Sequence, residues 1–235
     1  MRVSLFATCI VDQLYPAVGQ ATVELLEKLG VQVDYNPEQT CCGQPAFNTG
    51  YTELAASVAK RNLEILADSD YVVIPSGSCA SQLRIFYPEL FGHSEETQKL
   101  AAKTYELSEF LVKVLKAPRL DSQFEGVVAY HDSCHSLREL GIHDEPRQLL
   151  SQVKGLKLVD LSSNSCCGFG GTFSVKFPEL SCSMADDKIA ALESVKADVV
   201  TSTDMGCLMH LEGRLKAQGS PIRVLHLAQI LAGTK

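Results

Sequence analysis

Eight of the nine cysteines in this 235-residue chain fall into two sets that repeat with nearly the same spacing. In each set, 31 residues separate the first cysteine from a Cys-Cys-Gly triplet, and 36 or 39 residues separate that triplet's second cysteine from the fourth. The first set is Cys9, Cys41, Cys42 and Cys79, and the second is Cys134, Cys166, Cys167 and Cys207. Four thiolates suit an iron–sulfur cluster or a structural zinc ion. The chain is therefore predicted to be a metal protein with two equivalent sites.

The repeat extends beyond the cysteines, which indicates an internal duplication. Short β-rich runs end at the first cysteine of each set, over Val3–Thr8 and Val127–Ser133. Similar runs precede the fourth cysteines, and Glu106–Leu111 mirrors His226–Leu231 at the end of each half. We place the two repeats at residues 1–118 and 119–235, with a linker near Asp121–Gln123.

Helical patterns over residues 17–29, 51–66 and 183–195 alternate with these strands, and Leu54 is predicted to be a core residue of the second helix. Such alternation predicts an α/β fold of two tandem, pseudo-symmetric parallel-sheet units with right-handed crossovers. Because sites in open α/β sheets form beyond the carboxyl ends of the strands, three loops at one edge of each sheet should bring the four thiols together.

The adjacent cysteines favour an iron–sulfur cluster over zinc. Neighbouring thiolates can reach different irons of one cluster, whereas zinc ligands are normally spaced by two to four residues. Gly43 and Gly168 would permit positive φ or close approach of the backbone to a cluster. Zinc and redox-active thiols remain the alternatives at this point.

Three motifs carry a resemblance to a known family: Cys-x31-Cys-Cys-Gly in both halves, the segment Tyr130–His135, and Cys166–Gly171 beside Cys41–Ala46. The chain resembles the cysteine-rich CCG-domain family, whose members include a component of heterodisulfide reductase and the iron–sulfur subunit of glycolate oxidase. The resemblance is strongest to its lactate-utilisation branch. It implies two clusters, expected to be 4Fe–4S, held by the eight cysteines. It further implies an oxidoreductase subunit that transfers electrons from L-lactate, which becomes pyruvate, together with a second iron–sulfur protein and a third small subunit.

One departure from the wider family concerns the fourth cysteine, where many members have Cys-x2-Cys. Here Ser76 and Asp204 occupy the upstream positions, which leaves four cysteines per half and favours a simple cubane cluster. These two residues are predicted to be helix N-caps, with an oxygen-ligand role as the alternative.

Other polar residues near the motifs are weaker candidates. His131 and His135 could donate hydrogen bonds to cluster sulfur or serve a structural role, and Cys182 is predicted to be a small buried hydrophobe. Arg84 and Arg138 could bind a substrate carboxylate, but ion pairs are the expected role. No catalytic residue is identified, so we expect the isolated chain not to oxidise lactate at a useful rate. A small 2-hydroxy acid is the expected substrate in the complex.

Composition excludes several classes of function. The net charge is −7 and no block of Lys and Arg occurs, so nucleic acid is not an expected partner. The sequence also lacks an export signal, an apolar run of about 18 residues and a dinucleotide fingerprint, so we expect a cytoplasmic protein that neither crosses a membrane nor binds NAD or FAD itself. The rival functions are a subunit for glycolate, another 2-hydroxy acid or a thiol–disulfide couple, and a non-enzymatic zinc or thiol module.

Overall fold

The computed structural model describes residues 1–116, 118–162 and 164–233, and it divides into two compact units, Met1–Lys116 and Ala117–Lys235. Within the described residues each unit contains one four-stranded sheet, and all hydrogen-bonded strand pairs are parallel.

The first unit contains strands β1 (Arg2–Leu5), β2 (Gln32–Asp34), β3 (Val72–Ile74) and β4 (Thr104–Glu106). Their order in the sheet is β2-β1-β3-β4. Its helices are α1 (Cys9–Leu14), α2 (Pro16–Lys28), α3 (Gln44–Asn48), α4 (Thr52–Leu66), α5 (Gly77–Ser81), α6 (Tyr87–Leu90), α7 (Glu95–Lys103) and α8 (Leu107–Glu109), with π-helical segments at Gln82–Phe86 and Phe110–Val114.

The second unit contains strands β5 (Gln123–Tyr130), β6 (Lys154–Val159), β7 (Val199–Ser202) and β8 (Arg223–His226). Their order, β6-β5-β7-β8, is the order of the first sheet. Its helices are α9 (Asp144–Leu150), α10 (Thr172–Lys176), α11 (Pro178–Ser194), α12 (Met205–Gln218) and α13 (Leu227–Ala232), with a π-helical segment at His135–Glu139.

One inner strand of each sheet is completely buried. Every residue of β3 and β7 is buried, whereas the edge strands β2 and β6 are partly exposed. A parallel sheet covered on both faces requires such continuous apolar strands, because neither face meets water. The α/β prediction of two tandem parallel-sheet units is confirmed.

Two strand boundaries differ from the sequence-based expectation. The strand β1 ends at Leu5, and Cys9 is already the first residue of α1, because Thr8 caps that helix by accepting from the Val11 N–H at 3.4 Å. The strand β5 begins at Gln123, inside the predicted linker, and its register shifts between Gln123 and Gly126. A glycine with φ of 146° permits this irregularity, which obscured the alternating pattern.

The helix predictions were right in position but partly wrong about the buried face. In α4 the buried residues include Ala55, Ala59 and Asn62, whereas the predicted core residue Leu54 is exposed. The helix α11 begins at Pro178, five residues before the predicted start. Of the helices in the described residues, none combines the length and apolar character that crossing a membrane requires.

Candidate metal centres

The four predicted thiols of each half come together in the structure. In the first unit Cys9 Sγ lies 3.6 Å from Cys41 Sγ, and the Cys42 thiol hydrogen-bonds with those of Cys41 and Cys79. The second unit has the same sequence of contacts, in the order Cys134, Cys166, Cys167 and Cys207. All eight are free cysteines.

Helix caps at the carboxyl edge of each sheet position the fourth cysteine. Ser76 Oγ accepts from the Cys79 N–H at 3.3 Å and so begins α5. In the second unit Asp204 Oδ1 accepts from the Gly206 N–H at 3.1 Å and begins α12, which contains Cys207. Both residues therefore have the predicted N-cap role.

Gly43 and Gly168 have the positive φ values that their place beside the cysteines predicts, 85° and 90°. A side chain at Gly168 would meet the Ser181 carbonyl oxygen at 2.5 Å. The turn also directs backbone N–H groups at sulfur: Gly43 donates to Cys41 Sγ at 3.5 Å and Gly168 donates to Cys166 Sγ at 3.4 Å. The N–H of Phe169 adds a contact of 3.5 Å to Cys167 Sγ.

The contacts between thiols favour ionisation of the first cysteine of each triplet. Hydrogen bonds from Cys42 and Cys9 lower the pKa of Cys41, and hydrogen bonds from Cys134 and Cys167 lower the pKa of Cys166. A hydrogen bond to the charged form stabilises a thiolate. In each unit, therefore, the first cysteine of the triplet is the one whose thiolate form is most favoured.

In the first unit, neutral groups surround the thiols. Asn62 Nδ2 donates to the Cys41 carbonyl oxygen at 3.0 Å, and the Tyr87 hydroxyl donates to the Cys42 carbonyl oxygen at 2.9 Å. Phe6, three residues before Cys9, is fully buried. Sequence reasoning missed this hydrogen-bonded support because neither Asn62 nor Tyr87 is close to a cysteine in sequence.

In the second unit, ionisable groups surround the thiols. Lys188 on α11 is only 1% exposed, and its strongest electrostatic partner is Cys167. Burial lowers the pKa of Lys188, while the sulfur groups oppose that shift. Asp132 accepts two hydrogen bonds from Arg147, at 2.9 and 2.7 Å. Aligning the helical patterns that follow the two triplets, which puts Lys188 at the position of Asn62, is the signal that could have identified Lys188.

His131 is the predicted residue whose position is most informative. It is fully buried, and one ring nitrogen and the sulfur atoms of Cys167 and Cys207 lie within 4.8 Å of one another. Among the described residues, neither ring nitrogen has a hydrogen-bond partner. Burial and the nearby Lys188 lower the pKa of His131 to about 4, so the ring is neutral at pH 7.

The remaining candidates lie apart from the thiols or have other roles. His135 pairs with Glu139 at 2.6 Å, and Arg84 forms the expected ion pair, with Glu109 at 2.5 Å. Arg138 is exposed, although its charge reaches Cys134. Cys182, on α11, is half-buried rather than buried as predicted.

The fold and the sites define a class: tandem α/β proteins with a four-cysteine Cys-Cys-Gly centre in each repeat. The family model of the CCG cysteine-rich domain matches this chain twice, over residues 3–84 and 128–212. The chain therefore belongs to the CCG cysteine-rich domain family, as its motifs predict.

Relatives span its whole length. Lactate utilization protein A of Geobacillus kaustophilus (strain HTA426) is 51% identical, and the match covers 98% of each chain. The protein of the same name from Bacillus licheniformis is 48% identical over 98% of this chain and 99% of its own length. A crystal structure of a hypothetical protein from Helicobacter pylori shares the fold, with a TM-score of 0.67 and 17% identity. That match covers all of this chain and 49% of the other, so this chain spans about half the length of that protein.

Proposed function

We propose that this chain is the iron–sulfur electron-transfer subunit of a complex that oxidises L-lactate to pyruvate. Each unit holds one cluster of the 4Fe–4S type. The ligands are Cys9, Cys41, Cys42 and Cys79 in the first unit and Cys134, Cys166, Cys167 and Cys207 in the second. The partners are the other subunits of the complex, and the expected location is the cytoplasm, where thiols stay reduced.

The observation that carries this proposal is that the four thiols of each unit are joined by the same three contacts. Four sulfur donors equal the ligand count of a 4Fe–4S cluster, and a bound cluster supplies one-electron transfer. The thiolates would bind iron, and the glycines would allow the backbone close to the cluster. The N–H groups of Gly43, Gly168 and Phe169 already donate to sulfur, an arrangement that also tunes cluster potential.

The lactate assignment rests on relatives named for lactate utilization, which match this chain end to end. Lactate needs a cation for its carboxylate and a base for its hydroxyl proton. Arg84 is already paired with Glu109, and Arg138 lies exposed on a short π-helical segment. We therefore assign the completed substrate site to the assembled complex and not to this chain alone.

Anaerobic purification with metal analysis tests the cofactor. The expected protein is brown, contains about eight irons per chain and absorbs broadly near 400 nm, as thiolate-ligated iron does. Colourless protein with stoichiometric zinc would contradict the proposal. For the activity, lactate-dependent dye reduction should require the partner subunits, and robust reduction by the isolated chain would place a complete active site here.

A second candidate is a zinc or thiol module without enzymatic activity. It is favoured by the close grouping of His131, Cys167 and Cys207, within 4.8 Å of one another, because zinc accepts mixed histidine and cysteine ligands. The first unit has Phe6 in place of that histidine, so the candidate explains only one of two similar sites. Glycolate, other 2-hydroxy acids and thiol–disulfide couples are rival electron donors, and assaying the purified complex with each separates them from lactate.

A further inference from the structure

The two centres share their sulfur arrangement but differ in the groups that surround it. When the units are placed in register on their cysteines, Phe6 corresponds to His131, each three residues before the first cysteine. On the helices after the triplets, the buried faces of α4 and α11 align so that Asn62 corresponds to Lys188. A neutral pair in the first unit is thus replaced by an imidazole and an ammonium in the second.

The burial of Lys188 needs a compensating negative charge. Lysine is almost never fully buried without a partner, because removing an ammonium from water is costly. Lys188 is 1% exposed, and its electrostatic partners, in decreasing order, are Cys167, Asp132, Cys134 and Cys166. Asp132 already makes two hydrogen bonds with Arg147, so its charge is largely matched. The sulfur atoms therefore supply countercharge to Lys188 when they are ionised, as they would be on a bound cluster.

His131 supports the same interpretation from an independent observation. Its ring is fully buried beside Cys167 and Cys207, and within the described chain neither nitrogen has a hydrogen-bond partner. A buried polar group without a partner is costly unless a ligand satisfies it. A neutral imidazole has one N–H, which can donate to a sulfur atom of a bound cluster.

Asp204 carries a negative charge, so its effect on the thiols is opposite to that of Lys188. Asp204 is buried near Cys207, whereas the corresponding cap in the first unit is the neutral Ser76. Asp204 raises the pKa of Cys207, whereas Lys188 lowers it and is also an electrostatic partner of Cys134, Cys166 and Cys167. The charge of Lys188 therefore acts on all four sulfur atoms.

We propose that Lys188 is a countercharge built into the second centre, which makes that centre easier to reduce. No lysine or arginine among the described residues of the first unit is buried in this way. His131 assists by donating a hydrogen bond to sulfur. This inference rests on the proposed iron–sulfur function. A nearby positive charge and N–H donors to sulfur stabilise the reduced, more negative cluster and raise its reduction potential.

The test measures reduction potentials by titration with dithionite, a one-electron reductant in its active form, monitored by electron paramagnetic resonance. A Cys42→Ser background removes the first cluster, so that only the second is observed. Lys188→Met removes the charge but keeps the volume, and Lys188→Gln removes the charge but keeps a polar head group. Lys176→Met, at an exposed lysine of the same unit, is the matched control.

Both Lys188 variants should disfavour reduction of the second centre at least tenfold, which is about 59 mV for a one-electron couple. Lys176→Met should leave the potential unchanged, and His131→Phe, which restores the residue of the first unit, should lower it in the same direction. In a Cys167→Ser background, the first cluster should be unaffected by the Lys188 variants. With the second site intact, the Lys188 variants could instead lose iron from that site while their metal-free forms melt normally. The charge of Lys188 would then be shown to stabilise the bound centre, which supports the proposal.

An unchanged potential in iron-replete Lys188 variants would overturn the inference, as would equal shifts in both centres. A wild-type chain that binds no iron would instead overturn the proposed function, so the two failures are distinguishable.

Discussion

Replacement of Gly168 by alanine tests how tightly the fold constrains the second Cys-Cys-Gly turn. Gly168 has a φ of 90°, and an added Cβ would lie 2.5 Å from the Ser181 carbonyl oxygen and 2.9 Å from Met184 Cβ. The first of these neighbours is backbone, held in α11, so it cannot rotate away as a flexible side chain would. Relief of the clash requires α11 and the triplet to separate.

The expected cost combines two effects. A left-handed conformation costs an L-residue about 1–2 kcal/mol, and overpacking of a buried contact costs about 1–3 kcal/mol more. Gly168→Ala should therefore reduce the free energy of unfolding by about 2–5 kcal/mol. At about 2–4 °C per kcal/mol for a chain of this size, the fall in melting temperature should be easily measured.

Two control glycines separate strain from clash. Gly219 has a φ of 67° with nothing within 4 Å of an added Cβ, and Gly43 has a φ of 85° with its nearest contact at 3.3 Å. Alanine at Gly219 should cost only the conformational part, about 1–2 kcal/mol. Alanine at Gly43 should cost slightly more, because its 3.3 Å contact is with the Ala55 carbonyl oxygen. The assay is thermal unfolding of the metal-free protein, followed by iron content after reconstitution. Equal destabilisation by Gly168→Ala and Gly219→Ala would refute the argument that contact with α11 constrains the turn.

Three further predictions concern the ligands, a cap and a buried carboxyl group. Cys42→Ser and Cys167→Ser should each remove one cluster, about four irons, whereas Cys182→Ser should leave the iron content unchanged. If Cys182→Ser lost as much iron as Cys167→Ser, the ligand assignment in the second unit would be wrong. Ser76→Ala should destabilise the chain by about 1 kcal/mol through loss of the cap but leave iron bound. Loss of iron without loss of stability would instead identify Ser76 as a ligand. Burial raises the pKa of Glu106 from its ordinary 4.5 to about 7, so stability should fall as the pH rises from 4.5 to 7. In urea unfolding, Glu106→Gln should weaken this dependence of stability on pH and raise the stability above pH 7 by about 3 kcal/mol. An unchanged pH dependence would contradict the raised pKa of Glu106.

The sequence was sufficient to predict the features that depend on local pattern. The apolar runs of β3 and β7 are strands because every residue in them is buried in a covered parallel sheet. The convergence of the thiols follows from that topology, since parallel strands end at one edge of the sheet. The caps Ser76 and Asp204 were also predictable, because serine and aspartate before a helix accept from its first N–H groups.

Features that depend on contacts distant in sequence were not predictable in the same way. The role of Lys188 depends on which face of α11 is buried, and small residues such as Ala185 mark that face less clearly than leucine would. In α4 the same difficulty made Leu54 a predicted core residue, although Ala55 is the buried one. Close packing of a helix on a sheet selects small side chains, which a simple hydrophobic pattern underweights.

The comparison of the two units separates the features that would hold the proposed metal centre from those that would adjust it. The strand order, the turn at the triplet and the series of thiol contacts are the same in both, so these features set the sulfur positions. The groups around the sulfur are different: Phe6 and Asn62 in one unit, His131 and Lys188 in the other. A difference in chemistry between the centres must therefore arise from these surrounding residues, because the frame that carries the ligands is common to both. Exchanging the surrounding residues while keeping the cysteines should then transfer the electrochemical character of one centre to the other.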